Sequence, residues 1–115
     1  MIGSRIVDRL RGVYGHVDFI DERGIGGWIL DLDGGVNVVE VYINGIKVAE
    51  KEASLPRQDI DGIVGKITNC GFFINWAEVR FGHELLLFDS FDFQVLHKRT
   101  KTPISGKYKV ITYGG

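Results

Sequence analysis

Cysteine is nearly missing from this 115-residue chain, and Cys70 alone cannot close an internal disulfide. The thiol therefore fits a reducing compartment or a buried position. A basic excess is also missing. The formal net charge is -1 and the isoelectric point is near 6.3, which argues against a nucleic-acid protein. Basic residues gather only in HKRTK, His97 to Lys101, where no aromatic is interleaved, so a solvated loop is expected. No apolar run is long enough to cross a bilayer. Arg5, Asp8, Arg9 and Arg11 interrupt the N-terminus, so no signal peptide is read there. These absences lead us to expect a soluble, cytoplasmic protein without a membrane span or nucleic-acid partner.

What the chain does have is apolar content, 44% of residues, enough for the core of one domain. Residues 1–13 stand apart. Ile2, Ile6, Val7 and Leu10 fall at helical spacing with arginines opposite, which predicts a short N-terminal helix or a linker. Residues 14–115 form the main domain.

From Tyr14 onward the apolar period is two. In YGHVDFI, Val17 and Phe19 alternate with His16 and Asp18. GGWILDL follows. NVVEVYI puts Val39, Val41 and Ile43 on one face and Val38, Glu40 and Tyr42 on the other. Asn44-Gly45 then suits a type I′ turn, because both residues tolerate positive φ, and IKVAEKEA returns as its partner strand. The segment from Ser54 to Asn69 reads as a long connection. CGFFINW, ELLLF, FDFQVLH and KYKVITY are further strands. Short strands, close turn signals and no crossover helix predict an all-β fold. The expected architecture is an antiparallel immunoglobulin-like β-sandwich of seven or eight strands, with a closed barrel as the alternative.

The conspicuous motifs carry little chemistry. RGIGGW holds several glycines, but a strand follows rather than a helix with free amides, so it is not a phosphate loop. DLDG (Asp31–Gly34) and DIDG (Asp59–Gly62) resemble partial calcium loops. The terminal ligand position holds Tyr42 in one and Cys70 in the other, so both read as Asp-Gly turns. His16, His83 and His97 lack ligand spacing, and Cys70 lies in an apolar strand. No metal, cofactor or catalytic constellation is expected. Phe72, Phe73, Phe88, Phe91 and Phe93 read as core. Trp28, Tyr42 and Trp76 are the candidate ligand contacts, since an indole or phenol can stack on the C–H face of a sugar.

An ordered set of pieces carries a resemblance. It comprises Gly15-His16-Val17-Asp18, Gly27-Trp28-Ile29-Leu30-Asp31, Val39 to Gly45 with Val48, Ala53, Arg57-Gln58-Asp59-Ile60, Gly71-Phe72 and Pro103-Ile104-Ser105-Gly106. This order resembles small β-sandwich accessory domains of bacterial glycosyltransferases and other polysaccharide-biosynthesis proteins, over about Gly15 to Gly106. Asn44 stands where that pattern commonly has Asp. The resemblance implies a noncatalytic module that binds a glycan or positions a glycan-processing partner such as a glycosyltransferase. It supplies no defined ligand residues. The rival readings are a protein-interaction or self-association module and a hydrolase built on paired carboxylates. In the same pattern Arg57 and Asp59 follow the first hairpin. We expect a structural clasp there, with Arg57 folding back to Asp18 or Asp31 and Asp59 capping backbone amides.

Overall fold

The structure is a computed structural model that describes residues 12–83, 87 and 89–106 and the backbone of 110–112. The chain runs β1 (Val13–Asp21), β2 (Gly24–Asp31), β3 (Val38–Ile43), β4 (Ile46–Glu52), helix α1 (Gln58–Val64) and β5 (Gly71–Ile74). A 3-10 turn at Trp76–Glu78 follows, then β6 (Ser90–His97), β7 (Ser105–Gly106) and β8 (Val110–Thr112). The strands form two four-stranded sheets, ordered β5-β2-β1-β7 and β4-β3-β6-β8. Every pairing is antiparallel except the two-residue β1–β7 contact. The described strands make a two-sheet, mostly β fold with one helix and no closed barrel.

Period-two alternation explains the core. Val17 and Ile20 of β1, Ile25 and Ile29 of β2, and Phe72 and Ile74 of β5 meet Val39, Val41, Ile43, Val48, Phe91, Phe93 and Val95 from the other sheet. Burying one such side chain contributes about 1.5–3 kcal/mol, so this single cluster is the main stabilising term. The β3–β4 hairpin turns at Asn44 (φ 51°) and Gly45 (φ 82°), both left-handed. Asn44 does more than turn. Its Nδ2 donates to the Ser90 carbonyl and its Oδ1 accepts from the Asp92 amide, each at 2.8 Å. A carboxylate cannot donate, so only the amide ties the hairpin to β6 from both sides.

The connection from Ser54 to Asn69 is not all loop. DIDG lies inside α1 rather than in a turn, because Ile60 is buried and Val64, one helical turn on, packs beside it against Leu30 and Cys70. The helix ends at Gly65 (φ 86°), and Asp61 then accepts from the Thr68 amide and hydroxyl at 2.9 and 2.6 Å. Two expected elements, the N-terminal helix and the ELLLF strand, fall wholly or mostly outside the described residues. The last expected strand is described only as β8.

Candidate functional site

The outer face of the β5-β2-β1-β7 sheet is built from the residues that alternation turns away from the core. On β2 these are Gly26, Trp28 and Leu30; on β5, Gly71 and Phe73. On β1 the register shifts between Val17 and Phe19. This bulge turns Phe19 outward instead of onto the Val17 face, and Ile20 returns to the core in its place. Phe73 is likewise half-buried on the outer face and not core, since Phe72 takes the inward position.

Register then sets the arrangement. Phe19, Gly26 and Phe73 lie abreast across three strands, and the two rings meet with centroids 6.1 Å apart. Gly26 is required there, because a Cβ would fall within the Phe19 ring. Arg23 caps that ring, its guanidinium 3.9 Å from the centroid. Two residues along β2, Trp28 sits between His16 and Gly71. Tyr14, 43% exposed, stands opposite Leu30. Trp28 packs against the Leu30–Ile60–Cys70 cluster, to which α1 contributes Ile60.

Arg57 crosses this face. Its stem lies over Gly71, where a Cβ would stand 2.9 Å from Arg57 Cγ. Its Nη1 donates to Asp18 at 2.7 Å, while Nε and Nη2 donate to both oxygens of Asp59 at 2.9 and 2.8 Å. To reach from β5 to β1 the side chain must span β2, between the phenylalanine pair and Trp28. The hydrogen bonds from Arg57 hold the Asp59 carboxyl down at about 2, and those bonds in turn raise the guanidinium. Asp59 binds the Arg57 side chain, and backbone amides at the start of α1 also help to lower its carboxyl; Arg57, the N-cap residue, makes no side-chain cap bond.

Asp31 takes no part in this clasp. It ends β2, is buried, and pairs with Arg99 instead. Gly35 leaves the room, because a Cβ there would stand 3.0 Å from Arg99 Nε. Burial pushes the Asp31 carboxyl up, but the Arg99 hydrogen bond and the Asp33 amide outweigh it and leave it lowered. His97, fully buried at the end of β6, feels both charges. Its Nδ1 accepts from the Thr100 amide at 3.3 Å, its Nε2 closes no hydrogen bond of good geometry, and burial lowers its pKa.

The three aromatic candidates do not converge. Trp28 is on the outer face just described. Trp76 packs at the rim of the core against Phe93 and Phe81, with its indole donating to the Asp21 carbonyl at 2.7 Å. Tyr42 is on the outer face of the other sheet, donating to Glu40 at 3.3 Å. That second face is a charge network. Glu40, 2% exposed, receives Lys47 at 2.8 Å and Lys101 at 2.6 Å, and Glu50 receives Lys47 and Lys98. The HKRTK segment is thus not simply solvated, since Lys98, Arg99 and Lys101 each hold a carboxylate. Sequence reading missed Phe19, Phe73 and the buried Glu40. The Phe72-Phe73 pair and the three-residue step from Val17 to Ile20 carried the first two; nothing marked Glu40.

Chemically the aromatic face can stack and hydrogen-bond. Among the described residues, no three His, Cys, Asp or Glu side chains gather as a metal site. The buried Cys70 thiol lies 3.1 Å from Thr68 Oγ1, whose proton Asp61 takes, and burial raises its pKa, which disfavours the reactive thiolate. No described helix is long and apolar enough to cross a membrane. No family model, curated protein or solved structure matches the chain.

Proposed function

We propose that this chain is a noncatalytic, immunoglobulin-like β-sandwich module that binds a glycan through the outer face of the β5-β2-β1-β7 sheet, as an accessory to cytoplasmic bacterial polysaccharide biosynthesis. One observation carries the reading. Four aromatic side chains, Tyr14, Phe19, Trp28 and Phe73, share one sheet face without being buried, and a locked arginine–carboxylate cluster runs between them. A sugar ring has apolar C–H faces edged by hydroxyls. The rings match the first property; the outer lone pairs of Asp18 and Asp59 match the second. Side-chain exposures of 38% and 61% leave these two carboxylates within reach of a ligand.

Titration calorimetry of the folded protein against bacterial polysaccharides tests this reading, with Trp28→Ala as the comparison. Saturable binding lost in the variant is expected. Flat titrations with intact circular dichroism, or undiminished binding by Trp28→Ala, would reject the assigned face. A protein-assembly role remains the second reading. Phe81, 54% exposed and in ring contact with Trp76 and Phe91, is the observation that favours it. Concentration-dependent light scattering abolished by Phe81→Ser would promote it.

A further inference from the structure

We infer that the ligand of this face is a neutral glycan chain lying along the strands, spanning two stacking positions, and not an acidic polysaccharide. The inference rests on the glycan reading above and specifies it. The charges decide the class. Among the described residues, the cations set into the face are Arg23 and Arg57. Arg23 is bound to Asp21, while Arg57 is bound to Asp18 and Asp59. Three carboxylates against two guanidinium groups leave a local excess of one negative charge. A uronate, sulfate or phosphate approaching here meets arginines whose charge the carboxylates already offset, so the excess negative charge costs it affinity. A neutral sugar faces no such cost, and its hydroxyls donate to the carboxylate lone pairs left over.

The geometry decides the length. The Phe19–Phe73 pair is centred on Gly26 and the indole on Trp28, two residues further along β2. At about 3.4 Å per residue those rows are roughly 7 Å apart. Between them lies the Arg57 guanidinium, held at two carboxylates. Gly26 lets the Phe19 ring cover the sheet, and Gly71 does the same for the Arg57 stem. Both glycines lower the relief of the face, and Trp28 is steadied by the cluster that holds Ile60 of α1. A low strip with aromatic rows at both ends of a polar crossbar suits consecutive sugar rings of an extended chain better than one terminal sugar.

The test uses the whole chain carrying Trp76→Phe, which leaves Trp28 as the only tryptophan and so as a fluorescence reporter. Circular dichroism first checks that the fold survives. The probes are neutral chains (dextran, mannan and a mixed-linkage β-glucan with its oligosaccharides) and acidic chains (polygalacturonate, alginate and hyaluronate). The expected result has three parts. At least one neutral chain changes Trp28 emission, with little dependence on salt. Affinity rises about tenfold or more from the monosaccharide to the disaccharide of that chain. Phe73→Ala loses about tenfold at the disaccharide and much less at the monosaccharide, which binds at Trp28 alone. Binding of acidic chains only, weakened by salt, would overturn the neutral assignment while sparing the wider glycan reading. Equal affinity for mono- and disaccharide would overturn the two-position strip. No emission change and no calorimetric heat with any probe would overturn both this inference and the glycan reading.

Discussion

Glu40 offers the sharpest test of how the second sheet is held. Its carboxyl is 2% exposed on an outward β3 position, while its partners Lys47 and Lys101 keep side-chain exposures of 41% and 59%. The two sides of the cluster therefore respond unequally. In Glu40→Gln the lysines swing into water, and the loss should be about 1 kcal/mol or less. In the double variant Lys47→Ala, Lys101→Ala the carboxylate is stranded without a cation. Stranding a buried charge costs about 3–5 kcal/mol, and the exposure of the lysines argues for the low end, roughly 2–3 kcal/mol. For a domain this size that is a fall of about 10–20 °C in Tm. The pH dependence should also reverse. Burial alone pushes the Glu40 carboxyl up, but hydrogen bonds from Lys101 and Lys47 leave it lowered. A lowered carboxyl stabilises the native chain above its unfolded pKa of about 4.5, and that contribution fades as pH falls through the folded value. Without the lysines burial is opposed only by the long Tyr42 hydrogen bond, so the folded pKa rises above the unfolded one. The carboxyl is then tolerated when protonated and destabilises as pH climbs. Thermal denaturation of both proteins from pH 3.5 to 8 reads this directly. The gap in Tm should be widest near pH 7 and narrow towards pH 4. A gap that is constant with pH, or smaller than about 3 °C at pH 7, would refute the reasoning.

Backbone and clasp predictions follow from the same geometry. Gly62 lies in α1, and a Cβ there meets nothing within 4 Å, so Gly62→Ala should stabilise by about 0.5–1 kcal/mol, read as a raised Tm. Gly27→Ala should instead cost several kcal/mol in urea denaturation, because its Cβ would strike the His16 carbonyl oxygen and stand 3.0 Å from Val17 Cα, both backbone. Arg57→Ala removes one half-buried and two exposed charge-assisted bonds along with the stem over Gly71, a loss of about 1–3 kcal/mol. If its melting is unchanged while glycan binding disappears, Arg57 is a ligand contact and not a clasp.

Most strands of the core were legible because they keep a period of two over most of their length between good turn signals. Asn44-Gly45 is the clearest case, where side-chain chemistry and backbone φ agree. Misreadings occurred where tertiary contacts override local pattern. Asp59-Ile60-Asp61-Gly62 has turn-forming residues, yet Ile60 buried against Leu30 and Cys70 makes it helical. A bulge after Val17 moved Phe19 across the sheet, and period counting cannot anticipate an extra residue. Arg57 found Asp18, but the pairing of Asp31 with Arg99, 68 residues away, depends on how the sheets stack. Long-range charge pairing leaves no local signature, so the buried Glu40 was invisible as well.

The contrast between the two outer faces bears on where a ligand would gain most. On the second sheet, Lys47, Lys98 and Lys101 are already bound to Glu40 and Glu50. A ligand there would exchange one set of hydrogen bonds for another of similar worth, a net gain near zero. On the first sheet the polar groups are also paired, but the half-exposed rings of Phe19, Trp28 and Phe73 remain partly in water. Covering apolar surface contributes about 25 cal/mol per Å², so hiding roughly 100 Å² of ring would supply about 2.5 kcal/mol without breaking any existing bond. Affinity built this way is modest for one sugar and grows with each further ring covered. On the proposed reading, that arithmetic is why a chain and not a monosaccharide is the fitting occupant, and why Arg57, fixed by Asp18 and Asp59, serves best by staying where it is.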